Sequence, residues 1–466
     1  MMMLGQAMRW IDAATLVGDA NTTIKRVHTD TRSLLPGDFF VALKGDNFDA
    51  HAFLAQAKVQ GAVAAIAQHG LDAAGLPGLQ VSDSRLALGQ LAKGWRAQFN
   101  LPLIAVTGSN GKTTVTQMIA SILLACQGDQ AFATEGNLNN DIGVPLTLLR
   151  LTADHKIGVV ELGMNHPGEI AYLADIAKPT VALVNNAQRE HLEFMGTVEA
   201  VALENGAVIN ALDVKGVAVF PADDDHTAIW RKAAGARAQI TFALSGPADV
   251  TANAHWDANC WRVWALTPEG AFDFRLHIAG WHNVKNALAA TACALAAGVP
   301  VACIAAGLYA FEPVKGRSRA VQVNFQNQTI NLIDDSYNSN PDSMRAAIEV
   351  LAALPGPRLL VMGDMGEVGD KGPQFHEEAG HWAKAQGIEN LYTLGEQSSI
   401  ASSSFDRGLH FNDIDTLKAA VLAQLPHLGS VLVKGSRFMK MERVVQAITA
   451  HELAQTNEHK ETQHAA

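Results

Sequence analysis

The chain has 466 residues and a formal net charge of −11, with 48% apolar and 17% charged residues. That length suggests about three domains, and the balance is that of a folded, soluble protein rather than a disordered one. No Lys/Arg cluster supplies the basic face that a nucleic-acid backbone needs, so a coating role on DNA or RNA is excluded.

The cysteines, Cys126, Cys260, Cys293 and Cys303, are widely scattered without CxxC spacing. They suggest neither a disulfide framework nor a zinc site, and a reducing cytoplasm fits them. Met1 to Leu16 lacks the cationic start, apolar core and cleavage site of a secretory signal.

The first hundred residues hold strand-like runs such as Phe39–Leu43 and Ala-rich helical segments at 51–59 and 86–98. This predicts a small α/β domain over 1–100. Its distinctive words are His28-Thr29-Asp30-Thr31-Arg32-Ser33 and Gly45-Asp46-Asn47-Phe48-Asp49-Ala50-His51. Both suit a ligand-holding loop, and both also suit an ordinary turn.

Next comes the apolar run Leu103-Ile104-Ala105-Val106, the stretch Thr107-Gly108-Ser109-Asn110-Gly111-Lys112-Thr113-Thr114, and a helical segment from Val115 to Ala125. A glycine-rich turn between strand and helix is what a phosphate-binding loop requires. Gly108 and Gly111 let backbone N–H groups face an anion, and the helix adds its positive end. Lys112 would neutralise outer phosphates and Thr113 would offer its hydroxyl to magnesium. The loop is shorter than the usual G-x-x-x-x-G-K-[ST], which points away from the common GTPases and motors.

From Leu101 to Val314, apolar runs at 157–160, 181–184 and 216–220 alternate with helical segments. They predict a mostly parallel sheet with helices on both faces, whose ligands gather at the carboxyl ends of the strands. That rule selects Glu161, a candidate magnesium ligand, and the segment Asn185 to His191, where His191 is a further candidate. The loop from Thr134 to Pro145 is dense in Asn, with Asn137, Asn139 and Asn140. Asn283 and Asn286 lie three apart on one helical face and suit either an adenine edge or a helix cap.

Ala287 to Phe311 carries 25 uncharged residues, long enough to span a bilayer. Ala dominates it and Gly298-Val299-Pro300 interrupts it, so two buried helices joined by a turn are expected and no integral membrane segment.

Past Pro313 the α/β pattern restarts, with strands near 329–333, 359–362, 391–394 and 430–433 and helices at 341–354, 374–387, 413–424 and 437–453. This predicts a third domain over 315–455, after a central one over 101–314. Residues 456–466 are polar, without periodicity, and are expected to be a disordered tail. Lys315-Gly316-Arg317-Ser318-Arg319 and Asp334-Asp335-Ser336-Tyr337-Asn338-Ser339-Asn340-Pro341 open this domain. An arginine there reaches a phosphate on the central domain only when the domains close.

The short GSNGKTT loop, the Gly280-Trp281-His282-Asn283-Val284-Lys285-Asn286 segment and the DDSYNSNP strand end together resemble the Mur ligases, ATP-dependent amide-forming enzymes of peptidoglycan precursor synthesis. Gly136 to Asn140 with Ile142 to Pro145, Gly363 to Glu367 and Val433 to Arg437 are similar to the branch that adds D-alanyl-D-alanine to UDP-N-acetylmuramoyl-tripeptide. The resemblance runs over all three domains and implies a central P-loop ATPase domain and a Rossmann-like C-terminal domain.

It also implies roles. Lys112, His191 and Arg317 would be catalytic, Thr113, Glu161 and His191 would hold Mg2+, and residues 108–114 with Asn283, Asn286, Arg317 and Asp335 would bind ATP. Asp30, Arg32, Ser33, Phe48 and His51 would hold the uridine diphosphate end, and Asn137, Asn139 and Asn140 the sugar-peptide portion. Asn338, Lys434, Gly435 and Ser436 would line the dipeptide pocket. Many relatives carry a carbamylated lysine where this chain has Asn205; the role then falls to a carboxylate such as Glu204, or to fewer protein ligands. A cytoplasmic monomer is expected, acting on small molecules. The rival readings are a folylpolyglutamate synthase-like ligase and a non-ligating P-loop ATPase or switch, the latter disfavoured by the lack of an NKxD motif.

Overall fold

The computed structural model describes residues 1–45, 47–257, 260–325 and 328–450. The expected tail at 456–466 lies outside them.

Three larger sheets follow one another along the chain. The first has five strands in the order Thr15–Val17, Gly78–Gln80, Ala64–Ala67, Asp38–Val41, Arg26–His28. All pairs are parallel except the first. Its middle strands are buried along their whole length, as a parallel sheet covered on both faces demands.

The helix Ser84–Arg96 joins this unit to the next. Asp83 caps it by accepting from the N–H groups of Arg85 and Leu86. Its far end is tied down by Trp95, whose indole donates to Leu151 O at 3.1 Å, and by Arg96, whose guanidinium donates to Ala177 O and Phe99 O. Leu88, Leu91 and Trp95 share one continuous core with Leu103, Val160 and Ile170. The N-terminal unit is therefore packed into the central one rather than tethered to it.

The central sheet has nine strands. Six parallel strands run in the order Ala131–Ala133, Ile157–Glu161, Leu103–Thr107, Val181–Val184, Val217–Pro221, Ala238–Ala243. The sheet then continues through Val250–Asp257, Cys260–Thr267 and Gly270–Leu276, the last two pairings antiparallel. The sequence reading missed this extension because it sought continuous apolar runs. Cys260–Thr267 instead alternates, with Val263 and Ala265 buried and Arg262, Trp264 and Leu266 exposed, the pattern of a sheet with one wet face.

One face of this sheet is covered by Lys112–Gln127, Trp281–Ala296 and Val301–Ala310, the other by Glu169–Ala177, Val198–Asn210 and Thr227–Ala234. The uncharged stretch at 287–311 is two helices broken at 297–300, as expected. Among the described residues no helix is long and apolar enough to cross a membrane. Burial pushes the Cys293 thiol up, so it packs as an unreactive apolar side chain.

The C-terminal sheet has six strands in the order Arg319–Phe325, Gln328–Asp335, Ser430–Lys434, Arg358–Gly363, Asn390–Leu394, Leu409–Phe411. Only the first pair is antiparallel. Helices Pro341–Ala352, Gly372–Ala385 and Ser398–Phe405 cover one face, and Ile414–Gln424 with the helical residues 442–450 the other. The molecule is thus an α/β protein built on three successive larger sheets.

The phosphate-loop helix is anchored at its far half by close backbone approach. Ser121 Oγ donates to Gly307 O at 2.7 Å, and a Cβ at Gly307 would lie 2.3 Å from Ile122 Cα. Gly307→Ala is therefore expected to lower unfolding stability by about 1–3 kcal/mol, read as a shift in the urea midpoint at unchanged m-value.

Candidate active site

Strand Leu103–Thr107 is buried throughout and delivers the loop to the carboxyl edge of the sheet. Gly108 and Gly111 have φ of +131° and +82°. Neither could carry a side chain: a Cβ at Gly108 would meet the Asn185 and Asn186 backbone at 3.0 Å, and one at Gly111 would meet Asn286 Oδ1 at 2.6 Å. The helix begins at Lys112.

The loop is held by the segment that follows strand Val181–Val184. Asn110 N donates to Asn186 Oδ1 at 2.8 Å, Asn185 Nδ2 and Asn186 Nδ2 donate to Asn110 O, and Gln188 N donates to Ser109 Oγ at 2.9 Å. Asn283 and Asn286 extend this network. Asn283 donates to Ala279 O, Asn286 to Asn283 Oδ1, and Asn185 to Asn286 Oδ1. The chain of amides runs from the start of helix Trp281–Ala296 to the back of the loop. Both asparagines also border the cavity described next.

A cavity of about 1240 Å³ opens above the loop, bordered by residues of the central and C-terminal domains. Charged groups converge in it. Lys112 Nζ donates to Gly108 O at 2.6 Å and lies 2.7 Å from Glu190 Oε1. Thr113 Oγ1 donates to Glu161 Oε1 at 3.2 Å, and Asn139 Nδ2 donates to the same oxygen at 2.7 Å. From the third domain, Arg317 Nη2 reaches Thr113 Oγ1 at 3.2 Å, its guanidinium lying 4.0 Å from the Tyr337 ring centroid. His191 Nδ1 stands 2.7 Å from Glu367 Oε2, and that neighbour holds the Glu367 carboxyl below its usual range.

Two carboxylate oxygens, Glu161 Oε2 and Glu190 Oε2, are buried without a hydrogen-bond partner. Glu161, whose other oxygen meets the Thr113 hydroxyl, thus offers hard oxygen donors beside the phosphate loop, which suits magnesium.

The domains are in contact at this site. Asn340 Nδ2 donates to Asn110 Oδ1 at 2.9 Å, so the cap of helix Pro341–Ala352 also touches the phosphate loop. Arg189 makes the main bridge: its guanidinium donates to Asp342 Oδ1 at 2.7 Å and to Glu378 Oε2 at 2.8 Å, its N–H donates to Asp342 Oδ2, and it lies over Phe375. Burial disfavours its charge, but the two carboxylates outweigh that and raise its pKa. The sequence reading passed over Arg189 and Glu190 in favour of His191. Their signal was position, directly after a central strand. It also passed over Asp223 and Asp224, which follow strand Val217–Pro221 and border the same cavity.

Asp335 and Lys434, expected to serve different ligands, form a single buried ion pair at 2.6 Å, with Lys434 Nζ also donating to Asn338 O. Burial pushes the Asp335 pKa up, but Lys434 and the Ser318 N–H more than compensate and leave it lowered. Burial lowers the pKa of the neighbouring His282. Ser436 donates to Ser339 O and accepts from Gly366 N, while Gly435 packs against Gly363, where a Cβ would come 3.1 Å from the Gly363 Cα. Lys434 to Ser436 thus brace the turn that presents Asn338, which borders the cavity.

The N-terminal candidates do not border this cavity. Arg32 is paired with Asp30, which also caps the turn at 31–33, and Ser33 Oγ is 2.8 Å from His28 Nε2. Phe48 is 59% exposed. His51 is buried with both ring nitrogens engaged, by Asp49 and by the Gln68 N–H, which leaves no ring nitrogen for a ligand. In the Asn-rich loop, Asn139 and Asn140 border the cavity and Asn137 does not.

Asn205 points into the core, where it accepts from Thr107 Oγ1 at 2.7 Å. Glu204 is spent on the N–H groups of Gly168 and Ile170 at the start of helix Glu169–Ala177. Neither borders the cavity.

Three family models match in succession: the Mur ligase family catalytic domain over 23–96, the Mur ligase middle domain over 106–294, and the Mur ligase glutamate ligase domain over 316–437. The chain belongs to the Mur ligase family. Within it, the chain is 43% identical to UDP-N-acetylmuramoyl-tripeptide–D-alanyl-D-alanine ligase of Escherichia coli K12, over 92% of this chain and 94% of that one. It is 40% identical to the ligase of the same name from Haemophilus influenzae, over 93% and 96%. The crystal structure of MurF from Acinetobacter baumannii superposes with a TM-score of 0.89 at 36% identity, covering 96% of this chain and 98% of that one. MurF of Thermotoga maritima, solved in complex with ADP, gives 0.81 at 26% identity, covering 94% and 100%.

Two outcomes follow from the ion pairs. Arg189→Ala is expected to increase the radius of gyration in solution scattering and to lower kcat/KM by on the order of tenfold, with Arg189→Lys recovering only part because it lacks the two-sided fork. Lys434→Met strands a buried carboxylate and should cost about 3–5 kcal/mol of unfolding stability. Because the folded pKa of Asp335 is depressed, the pair contributes fully above the unfolded carboxyl pKa and less as pH falls through the folded value. In Lys434→Met the two largest influences that lower the Asp335 pKa are gone and burial pushes it up, so the stability gap between wild type and the variant should be widest near neutral pH and narrow progressively as pH falls through that raised value and into stronger acid.

Proposed function

We propose that this chain is an ATP-dependent ligase of peptidoglycan precursor synthesis that joins D-alanyl-D-alanine to UDP-N-acetylmuramoyl-tripeptide. The observation that carries the reading is Arg317 of the third domain on Thr113 of the phosphate loop, inside a chain that matches such a ligase over 92% of its length. The γ-phosphoryl group of ATP passes to the terminal carboxylate of the tripeptide, ADP leaves, and the dipeptide amine displaces phosphate from the acyl phosphate to form the amide.

Lys112 and Arg317 stabilise the transferring phosphoryl group, whose charge spreads over its outer oxygens. Thr113, Glu161 and His191 would hold Mg2+, which would supply neutralisation of phosphate charge when bound. Asn283, Asn286 and Asp335 lie along the nucleoside end of ATP. Asn139 and Asn140 take the sugar-peptide portion, and Asp30, Arg32, Ser33 and Phe48 the uridine diphosphate end, with His51 shaping their loop. Asn338, braced by Lys434 and Ser436, faces the incoming dipeptide. In this reading 1–100 bind the UDP substrate, 101–314 bind ATP and 315–455 complete the site. The thiols and the small-molecule substrates fit a cytoplasmic monomer.

Phosphate release from ATP should require both UDP-N-acetylmuramoyl-tripeptide and D-alanyl-D-alanine; release at the same rate without the dipeptide would overturn the ligase reading. Lys112→Ala should reduce turnover by at least about 10³-fold while uridine-nucleotide binding stays measurable by calorimetry.

A further inference from the structure

We propose that Glu190 is a positioning residue for the reaction: it aligns Lys112 over the phosphate loop and competes with the nucleotide's phosphates for that lysine. This rests on the reading of the loop as a nucleotide site.

An ammonium has three protons to give. Lys112 Nζ gives them to Gly108 O at 2.6 Å, Ser109 O at 3.2 Å and Glu190 Oε1 at 2.7 Å. Two of these acceptors are neutral carbonyls of the loop itself. The third is the one charged group among them, and both partners of the pair are largely buried, at 14% and 9% side-chain exposure. A phosphate oxygen that engages Nζ must therefore share it with Glu190.

The carboxylate is not free to swing away. Glu190 N donates to Gln188 O at 2.8 Å, Arg189 on one side is locked to Asp342 and Glu378, and His191 on the other has a φ of +48° and faces Glu367. Its second oxygen, Oε2, is buried without a partner. A fixed negative charge next to the phosphates raises the free energy of the bound nucleotide. The same charge holds the lysine in one rotamer, so its ammonium is aligned when charge develops on the transferring group. Glu190 trades ground-state affinity for alignment.

The test uses the full-length enzyme and ADP without magnesium, with affinity measured by calorimetry and turnover measured separately with all substrates and magnesium. Glu190→Gln keeps the shape and removes the charge. It should bind metal-free ADP more tightly, by on the order of tenfold, while kcat falls. Glu190→Asp, which restores the charge, should return the ADP affinity toward wild type and recover part of kcat. A side chain that merely supported the fold would weaken ADP binding when altered, so unchanged or weaker binding in Glu190→Gln overturns the proposal. Failure of the wild type to bind ADP at all would instead overturn the nucleotide reading, and this proposal with it.

Discussion

The arrangement of this molecule depends on the hydrogen bonding of one seven-residue segment, Asn185 to His191. On one side its amides hold the phosphate loop, through Asn185 and Asn186 to Asn110 and through Gln188 to Ser109. On the other, Arg189 and His191 face carboxylates of the third domain. Between them Glu190 meets Lys112. A strand end in an open parallel sheet is where polar groups can gather without breaking the core. Here it also transmits the position of one domain to the lysine of another.

Much of the frame was legible in the sequence because periodicity and punctuation agreed. The parallel strands read as apolar runs, the helical stretch expected at 341–354 is the helix Pro341–Ala352, and Gly298-Val299-Pro300 divided the uncharged stretch into two helices. The antiparallel strands from Val250 to Leu276 were not legible as runs, since half their residues face solvent. Their alternation was the available signal.

The site was legible by residue type but not by partner. Glu161, His191 and Arg317 do converge with Lys112 and Thr113 at the cavity. Sequence could not tell that Lys434 would neutralise Asp335, or that Asp49 and Gln68 would use up His51. Such pairings form between residues about a hundred positions apart or across a turn, and no local pattern encodes them. Arg189 and Glu190 were overlooked for the opposite reason. They stood in plain view beside His191, but an Arg–Glu pair on a loop reads as a solvated surface until its partners, Asp342 and Glu378 in the third domain and Lys112 on the phosphate loop, are known.

The consecutive placement of Arg189, Glu190 and His191 has a consequence for how this region can vary. Arg189 answers to Asp342 and Glu378, Glu190 chiefly to Lys112 and His191 chiefly to Glu367, with His191 Nε2 also 3.6 Å from Glu190 Oε1, and the backbone turns left-handed at His191. A substitution at one position disturbs one partnership. An insertion or deletion of a single residue in this segment would move the side chains beyond it by one place, so that Arg189 and Glu190 would no longer stand opposite their present partners. The length of this segment is therefore under tighter constraint than any one of its residues.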